Sequence, residues 1–313
     1  RVVQCLSIKG LYEWEGWDRE FRDVETTSEA TLGGALDITH RGWLMVRASF
    51  RRSDRTGTGY DAARPAAQVF PVQVPNPQLG GLRKFDMADR VRDRTELIAR
   101  VTPGSSLPVA ASYSITDDSY GESSYGVLEN SRRTPALSAS YTAASGLTLF
   151  ADYARDDYTL EQQSRQRTAT NDNPANDWAS DTQDLVNTYG AGIAGSMFGQ
   201  KLDVDLTWHR SDGTGETNAR ALGTPTLALA AGDFPVIVSD LRLVRGSATY
   251  HLAERTSLKL EYIYERYDQV DWALDVMAPF MGFVDSGALS ATWVGATRPD
   301  YRAHIASLSL AYR

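Results

Sequence analysis

Five times along the chain, a leucine is followed at every second position by apolar or small residues and then, six residues on, by an aromatic ring. The segments are Leu44–Phe50, Leu107–Tyr113, Leu147–Tyr153, Leu202–Trp208 and Leu258–Tyr264. Successive side chains of a strand point to opposite sides, so this period of two specifies β-structure. In the first segment Leu44, Val46, Ala48 and Phe50 share one face, and Met45, Arg47, Ser49 and Arg51 the other. Six residues at about 3.3 Å each, tilted about 40°, climb roughly 15 Å, most of the apolar band of about 25 Å that a membrane β-barrel presents. The ring then falls near the far interface. Strands of the opposite direction carry theirs at the other end, in Leu137–Tyr141, Gly246–Tyr250 and Leu308–Tyr312. The expected lipid-facing girdle is Trp14, Phe50, Tyr113, Tyr141, Tyr153, Trp208, Tyr250, Tyr262, Tyr264 and Tyr312.

Composition fits that architecture. Mean hydropathy is -0.36, and no stretch approaches the roughly eighteen consecutive apolar residues of a membrane helix. A barrel needs an apolar residue only at every second position. The net charge of -8 argues against nucleic acid as a partner. Only Lys9, Lys84, Lys201 and Lys259 among the 32 basic residues are lysines, a bias that suits fixed ion-pair networks and that a GC-rich genome would also produce. Cys5 is the single cysteine, so this chain can form neither an internal disulfide nor a C-x-x-C-H haem attachment. Any haem must come from a partner, and no metal site is expected. The chain starts at Arg1 without a signal-peptide pattern, which reads as a removed export signal or as a piece of a longer protein.

Short turns alternate with long loops. The turns are Thr39–Gly42, Thr102–Ser106, Thr142–Gly146, Phe198–Gln200 and Ala253–Thr256. The loops run from about Ser53 to Phe85, Thr116 to Tyr125, Tyr158 to Thr182, Ser211 to Ser239 and Asp268 to Arg302. The expectation is an all-β, transmembrane, antiparallel up-and-down barrel of about twelve strands over residues 1–313, either closed or an open, partial barrel that is half of a larger one, with the loops facing outward. The acidic run Asn171–Asp177 offers oxygen atoms to calcium but matches no calcium-loop spacing, and a solvated loop is the better reading.

Strand phase puts a second set of residues on the polar, inward face. These are Lys9, Glu13, Arg47, Arg51, Glu96, Arg100, Asp152, Asp203, Asp205, His209, Arg245, Lys259, Glu261 and Glu265. Charge of both signs excludes lipid contact for this face, and small residues such as Ser112, Ser138, Ser247 and Ser307 leave room beside it. His209 and His251 share that side and read first as ordinary polar lining. No nucleophile, base and orienting group come together, so no enzyme is expected.

Several ordered phrases resemble the MtrB/PioB family, in its C-terminal portion. They are Tyr12–Arg19 followed by Val24–Glu29, Trp43–Arg55 with Tyr60-Asp61, Phe85–Arg90, Tyr264–Asp275, and Pro299–His304. The resemblance implies an outer-membrane barrel that sheathes a multihaem c-type cytochrome and carries electrons across the bilayer, with an external cytochrome on the long loops. The family's barrels have more strands than this chain supplies, so the chain reads as the C-terminal half of one, and it stops at Arg313 rather than at a terminal aromatic residue. A passive porin with a water-filled lumen fits the strand pattern equally well. An outer-membrane enzyme such as a protease or phospholipase is a third reading, for which no clustered nucleophile, base and orienting group is found, and a soluble β-protein is the remaining one, in which the apolar face would pack on another layer of the same chain.

Overall fold

A computed structural model describes residues 5–20, 22–62, 78–104, 106–143, 146–167, 172–226, 232–272, 281–284, 288–292 and 300–312. In chain order the strands are β1 (Leu6–Asp18), β2 (Thr26–His40), β3 (Leu44–Gly57), β4 (Leu82–Arg83), β5 (Arg90–Val101), β6 (Val109–Ser119), β7 (Tyr125–Thr142) and β8 (Thr148–Arg165), then β9 (Asp177–Met197), β10 (Leu202–Ala221), β11 (Ile237–Ala253), β12 (Thr256–Val270), β13 (Met281–Val284), β14 (Ala288–Thr292) and β15 (Tyr301–Tyr312). A 3-10 turn at Pro174–Asn176 leads into β9.

Twelve strands form one antiparallel path, β1-β2-β3-β5-β6-β7-β8-β9-β10-β11-β12-β15. The two-residue β4 adds in parallel to β7, and β13 pairs with β14. No pairing joins β1 to β15 among the described residues, so the sheet is not closed. The expected up-and-down order of about twelve strands is therefore present, in its open form. The chain divides into two compact units. One contains Arg1–Leu137, Arg155–Leu185 and Thr217–Phe234; the other contains Ser138–Ala154, Val186–Glu216 and Pro235–Arg313.

Register keeps the two faces apart in each unit. In the first, Ile38 stands opposite Val46 and Val46 opposite Ala99, while Leu36, Ala48, Leu97 and Tyr113 form the next apolar row. In the second, Leu206 stands opposite Gly246 and Gly246 opposite Tyr262, and Ala248, Leu260 and Leu308 form a row beside them. One register slip would send each of these sets to the charged side. The apolar face is not packed on a second layer: Trp14, Leu32, Leu137, Leu260, Leu308 and Tyr312 are all exposed.

The β2–β3 hairpin shows why the short connections stay short. Trp43 N–H donates to His40 C=O at 3.1 Å, and the intervening Arg41 and Gly42 have φ of 46° and 75°. Two left-handed residues make the turn whose twist matches that of the flanking strands.

At the other end the strands run further than the sequence reading allowed. β3 continues through Ser53 to Gly57, β8 to Arg165 and β10 to Ala221, all assigned to loops from sequence. The 21 residues of β9, at about 3.4 Å each and a tilt of about 40°, rise roughly 55 Å, about twice the apolar band. Outside the band both faces meet water, so apolar alternation stops while the backbone ladder continues. Polar cross-strand contacts such as Thr31–Ser53 (2.7 Å) and Thr182–Thr217 (3.1 Å) replace it. The central parts of the loops, residues 63–77, 168–171, 227–231 and 273–280 among them, lie outside the described residues, as do the chain ends at Arg1 and Arg313.

Buried side chains collect at the long-loop end. In the first unit Val24, Leu79, Met87, Ala88 and Tyr120 are buried together with Asp23, whose carboxylate accepts from Lys84 Nζ at 2.8 Å. Arg55 holds the neighbouring loop by donating to the carbonyls of Phe85 (2.6 Å), Asp86 (3.2 Å) and Ala88 (2.9 Å). The phrases Val24–Glu29 and Phe85–Arg90 thus meet in one small cap.

Candidate partner-binding face

The apolar and polar sets predicted by phase separate by register. Trp14, Phe50 and Tyr113 lie on the apolar face of the first unit, and Trp208, Tyr250, Tyr262, Tyr264 and Tyr312 on that of the second. Tyr141 is exposed. Tyr153 donates to Asn187 Oδ1 at 3.0 Å and stacks on Tyr189 at 5.2 Å, which adds Tyr189 to the ring set. Tyr262 sits one alternation below Tyr264, inside the apolar band, where its hydroxyl meets His304 Nδ1 at 2.8 Å. The two rings also lie 6.2 Å apart, so the contact joins β12 to β15 on this face.

On the polar face the carboxylates are mostly engaged. Asp37 accepts from Arg47 Nε at 2.5 Å, from Arg47 Nη2 at 3.0 Å and from Lys9 Nζ at 3.0 Å. Glu29 accepts from Arg90 Nη2 at 2.8 and 3.0 Å, and Asp118 takes a two-pronged contact from Arg92 at 2.6 and 2.7 Å. In the second unit Asp203 joins His251 Nε2 (2.8 Å) and Ser196, Lys259 meets Glu261 at 3.3 Å, and the Tyr301 hydroxyl donates to Glu265. The carboxyl group of Asp152 fills the space beside Gly190.

Several arginines are left over. Arg51 and Arg94 stand directly opposite each other across the β3–β5 ladder, both exposed. Neither has an ion-pair partner among the described residues, and the same holds for Arg100 and Arg245. Glu13 and Glu96 are likewise without an ion pair there. Glu13, Glu15, Glu29, Arg51, Arg92 and Arg94 border one recess of about 240 Å³ in the first unit. Asp205 and His209 complete the polar row of β10, opposite Ser247 and Leu243 of β11. The arrangement is a broad charged surface able to hold a polar partner; it has no catalytic geometry among the described residues.

The acidic run Asn171–Asp177 is used internally. Arg165 reaches Asp172 at 2.7 Å and Asp177 at 2.5 Å, and Asn173 Oδ1 accepts from Ala175 N–H at 3.0 Å. Arg165 holds the Asp177 carboxyl below the usual carboxylate range. No group of side chains arranged to hold a metal ion occurs among the described residues.

Known structures share this fold. The copper transporter OprC aligns over 97% of this chain and 42% of its own, with a TM-score of 0.57 at 11% identity. The ferric citrate transporter FecA covers 99% of this chain and 42% of its own, at 0.58 and 9%. Fiu from E. coli K12, a ferric-catecholate import receptor, gives 0.53 at 10% identity over 85% of this chain and 52% of its own. Strand order, the exposed apolar face and these likenesses define the fold as that of an outer-membrane β-barrel. The chain belongs to the MtrB/PioB family of outer membrane beta-barrel porins, whose model matches residues 1–313. It is 25% identical over 318 residues to the outer membrane protein MtrB of Shewanella baltica (strain OS185), covering all of this chain and 41% of that relative. The chain therefore spans less than half the relative's length, in agreement with its reading as a C-terminal portion.

Proposed function

We propose that the polar face encloses a multihaem c-type cytochrome, so that the barrel insulates a chain of haems crossing the outer membrane. Family membership over the whole chain carries this reading, because the resemblance implies such a conduit. The polar face supports it physically. Arg51 and Arg94 oppose each other at a cost that a partner's carboxylates, haem propionates included, would reverse. Arg100, Arg245, Glu13 and Glu96 would meet complementary charges in the same way, and serine-lined stretches of β6, β11 and β15 would admit bulk.

The barrel's part is not enzymatic. Its apolar face keeps the assembly in the bilayer, and its polar face orients the cytochrome without supplying a haem ligand or a covalent attachment. An external cytochrome would dock on the long-loop ends.

Purification of the full-length barrel from its native membrane in mild detergent tests the proposal. A haem-staining c-type cytochrome that co-elutes, with low ionic conductance of the complex in a planar bilayer, is the expected result. An open pore without haem would support the passive porin instead.

A further inference from the structure

On each of four strands of the second unit the outward apolar segment ends in an arginine. After Leu202, Val204, Leu206 and Trp208 comes Arg210; after Leu258, Leu260, Tyr262 and Tyr264 comes Arg266. On the antiparallel strands Arg242 precedes Val244 and Arg302 precedes His304. Register joins them into one row, Arg210 opposite Arg242, Arg242 opposite Arg266, and Arg266 opposite Arg302. The next row outward on the same face is Asp212, Asp240 and Asp268.

Three aspartates neutralise this row of four arginines only in part, with Arg210 also reaching Asp212 at 3.9 Å. Arg210 and Arg242 share Asp240, at 2.6 Å each, and Arg266 uses Asp268 at 2.6 Å. Arg302 is exposed and has no ion pair among the described residues. Four adjacent like charges across a ladder repel one another, and a guanidinium forked on one carboxylate keeps further N–H donors free. The unit aromatic-x-Arg-x-Asp also recurs elsewhere on the apolar side, in Phe50-Arg51-Arg52-Ser53-Asp54 and Tyr153-Ala154-Arg155-Asp156-Asp157. Its recurrence ties the arginine to the end of the apolar band rather than to any one loop.

We infer that this arginine row binds the phosphate groups of a phosphorylated glycolipid in the outer leaflet. Three observations converge on that occupant. The row is continuous with the face that acyl chains cover, it lies one alternation beyond the aromatic residues on the side of the long loops, and its free forks match phosphate geometry. At this depth a charged side chain costs little, about 0–1 kcal/mol, whereas at the midplane it would cost about 2–4 kcal/mol. The aspartates hold the guanidinium planes in place from the solvent side. The inference needs only the outer-membrane location and is independent of what the polar face encloses.

Native mass spectrometry of the full-length barrel, delipidated in detergent and titrated with bisphosphorylated lipid A, tests it. The wild type should retain this lipid roughly tenfold or more over its dephosphorylated form, and R210Q/R242Q/R266Q/R302Q should lose that preference. The corresponding lysine variant, which keeps charge but not the fork, should fall between them and serves where the glutamine variant does not fold. Equal retention of the two lipids by wild type, or unchanged preference in the folded glutamine variant, would overturn the proposal. Displacement of the lipid by inorganic phosphate at equal concentration would mean a site for free anions and would also overturn it.

Discussion

Arg51 and Arg94 face each other across the β3–β5 ladder, and neither forms an ion pair among the described residues, whereas the neighbouring Arg47, Arg90 and Arg92 each hold a carboxylate. Removing this repulsion should stabilise the barrel alone by about 0.2–1 kcal/mol. R51Q/R94Q is therefore expected to raise the denaturant midpoint of the isolated barrel while weakening retention of the cytochrome. Salt-dependent co-elution reads the second effect. A variant that weakens neither retention nor its salt dependence would remove these residues from the contact surface.

Close packing predicts a sharp glycine requirement in the second unit. A Cβ on Gly192 would lie 2.3 Å from the Phe150 ring and 2.8 Å from the Leu206 carbonyl oxygen. The ring can swing aside, but the backbone cannot. G192A should cost about 1–3 kcal/mol, with only part recovered in G192A/F150A. Denaturant titration of barrels folded into lipid vesicles measures both.

Gly10 makes the opposite case on the apolar face. It sits in the middle of the Leu6–Trp14 apolar segment, and a Cβ there would touch nothing within 4 Å. G10L should be tolerated. G10R, at a position facing acyl chains, should destabilise by about 2–4 kcal/mol. Equal tolerance of the two in the same vesicle titration would mean that this face is not in lipid.

Acid should loosen the β8–β9 end of the first unit. Hydrogen bonding to Arg165 lowers the pKa of Asp177 in the folded state. The unfolded value is about 4, so the stabilisation is fully present above that pH and is lost as pH falls through the lowered folded value. Trp178 adjoins the pair and reports on it. Its fluorescence should change below about pH 4, and D177N should abolish the change.

How much of this was legible depends on where each residue sits. Leu44, Val46, Ala48 and Phe50 betray their strand because an apolar and a polar face alternate along it. Toward the long loops that contrast vanishes, so Thr56, Gln163 and Thr217 look like loop residues although they lie in paired strands. The cap around Asp23, Met87 and Tyr120 is invisible in sequence because its members come from separate loops. The arginine row is hidden for a related reason. Arg210, Arg242, Arg266 and Arg302 are unequally spaced along the chain, and only register aligns them. Period-two alternation was legible in the sequence, whereas the opposition of Arg51 to Arg94 required the pairing itself.

Which side of the sheet meets acyl chains decides the role of both faces. Spin labels at single cysteines replacing Leu260 and Glu261, in a Cys5→Ser background reconstituted into nanodiscs, measure this directly. A label at 260 should respond to dissolved oxygen and be shielded from a water-soluble nickel chelate, with the reverse at 261 and loss of nickel access there when the cytochrome binds. Oxygen dominance at 261, or nickel access at 260, would contradict the assignment of both faces.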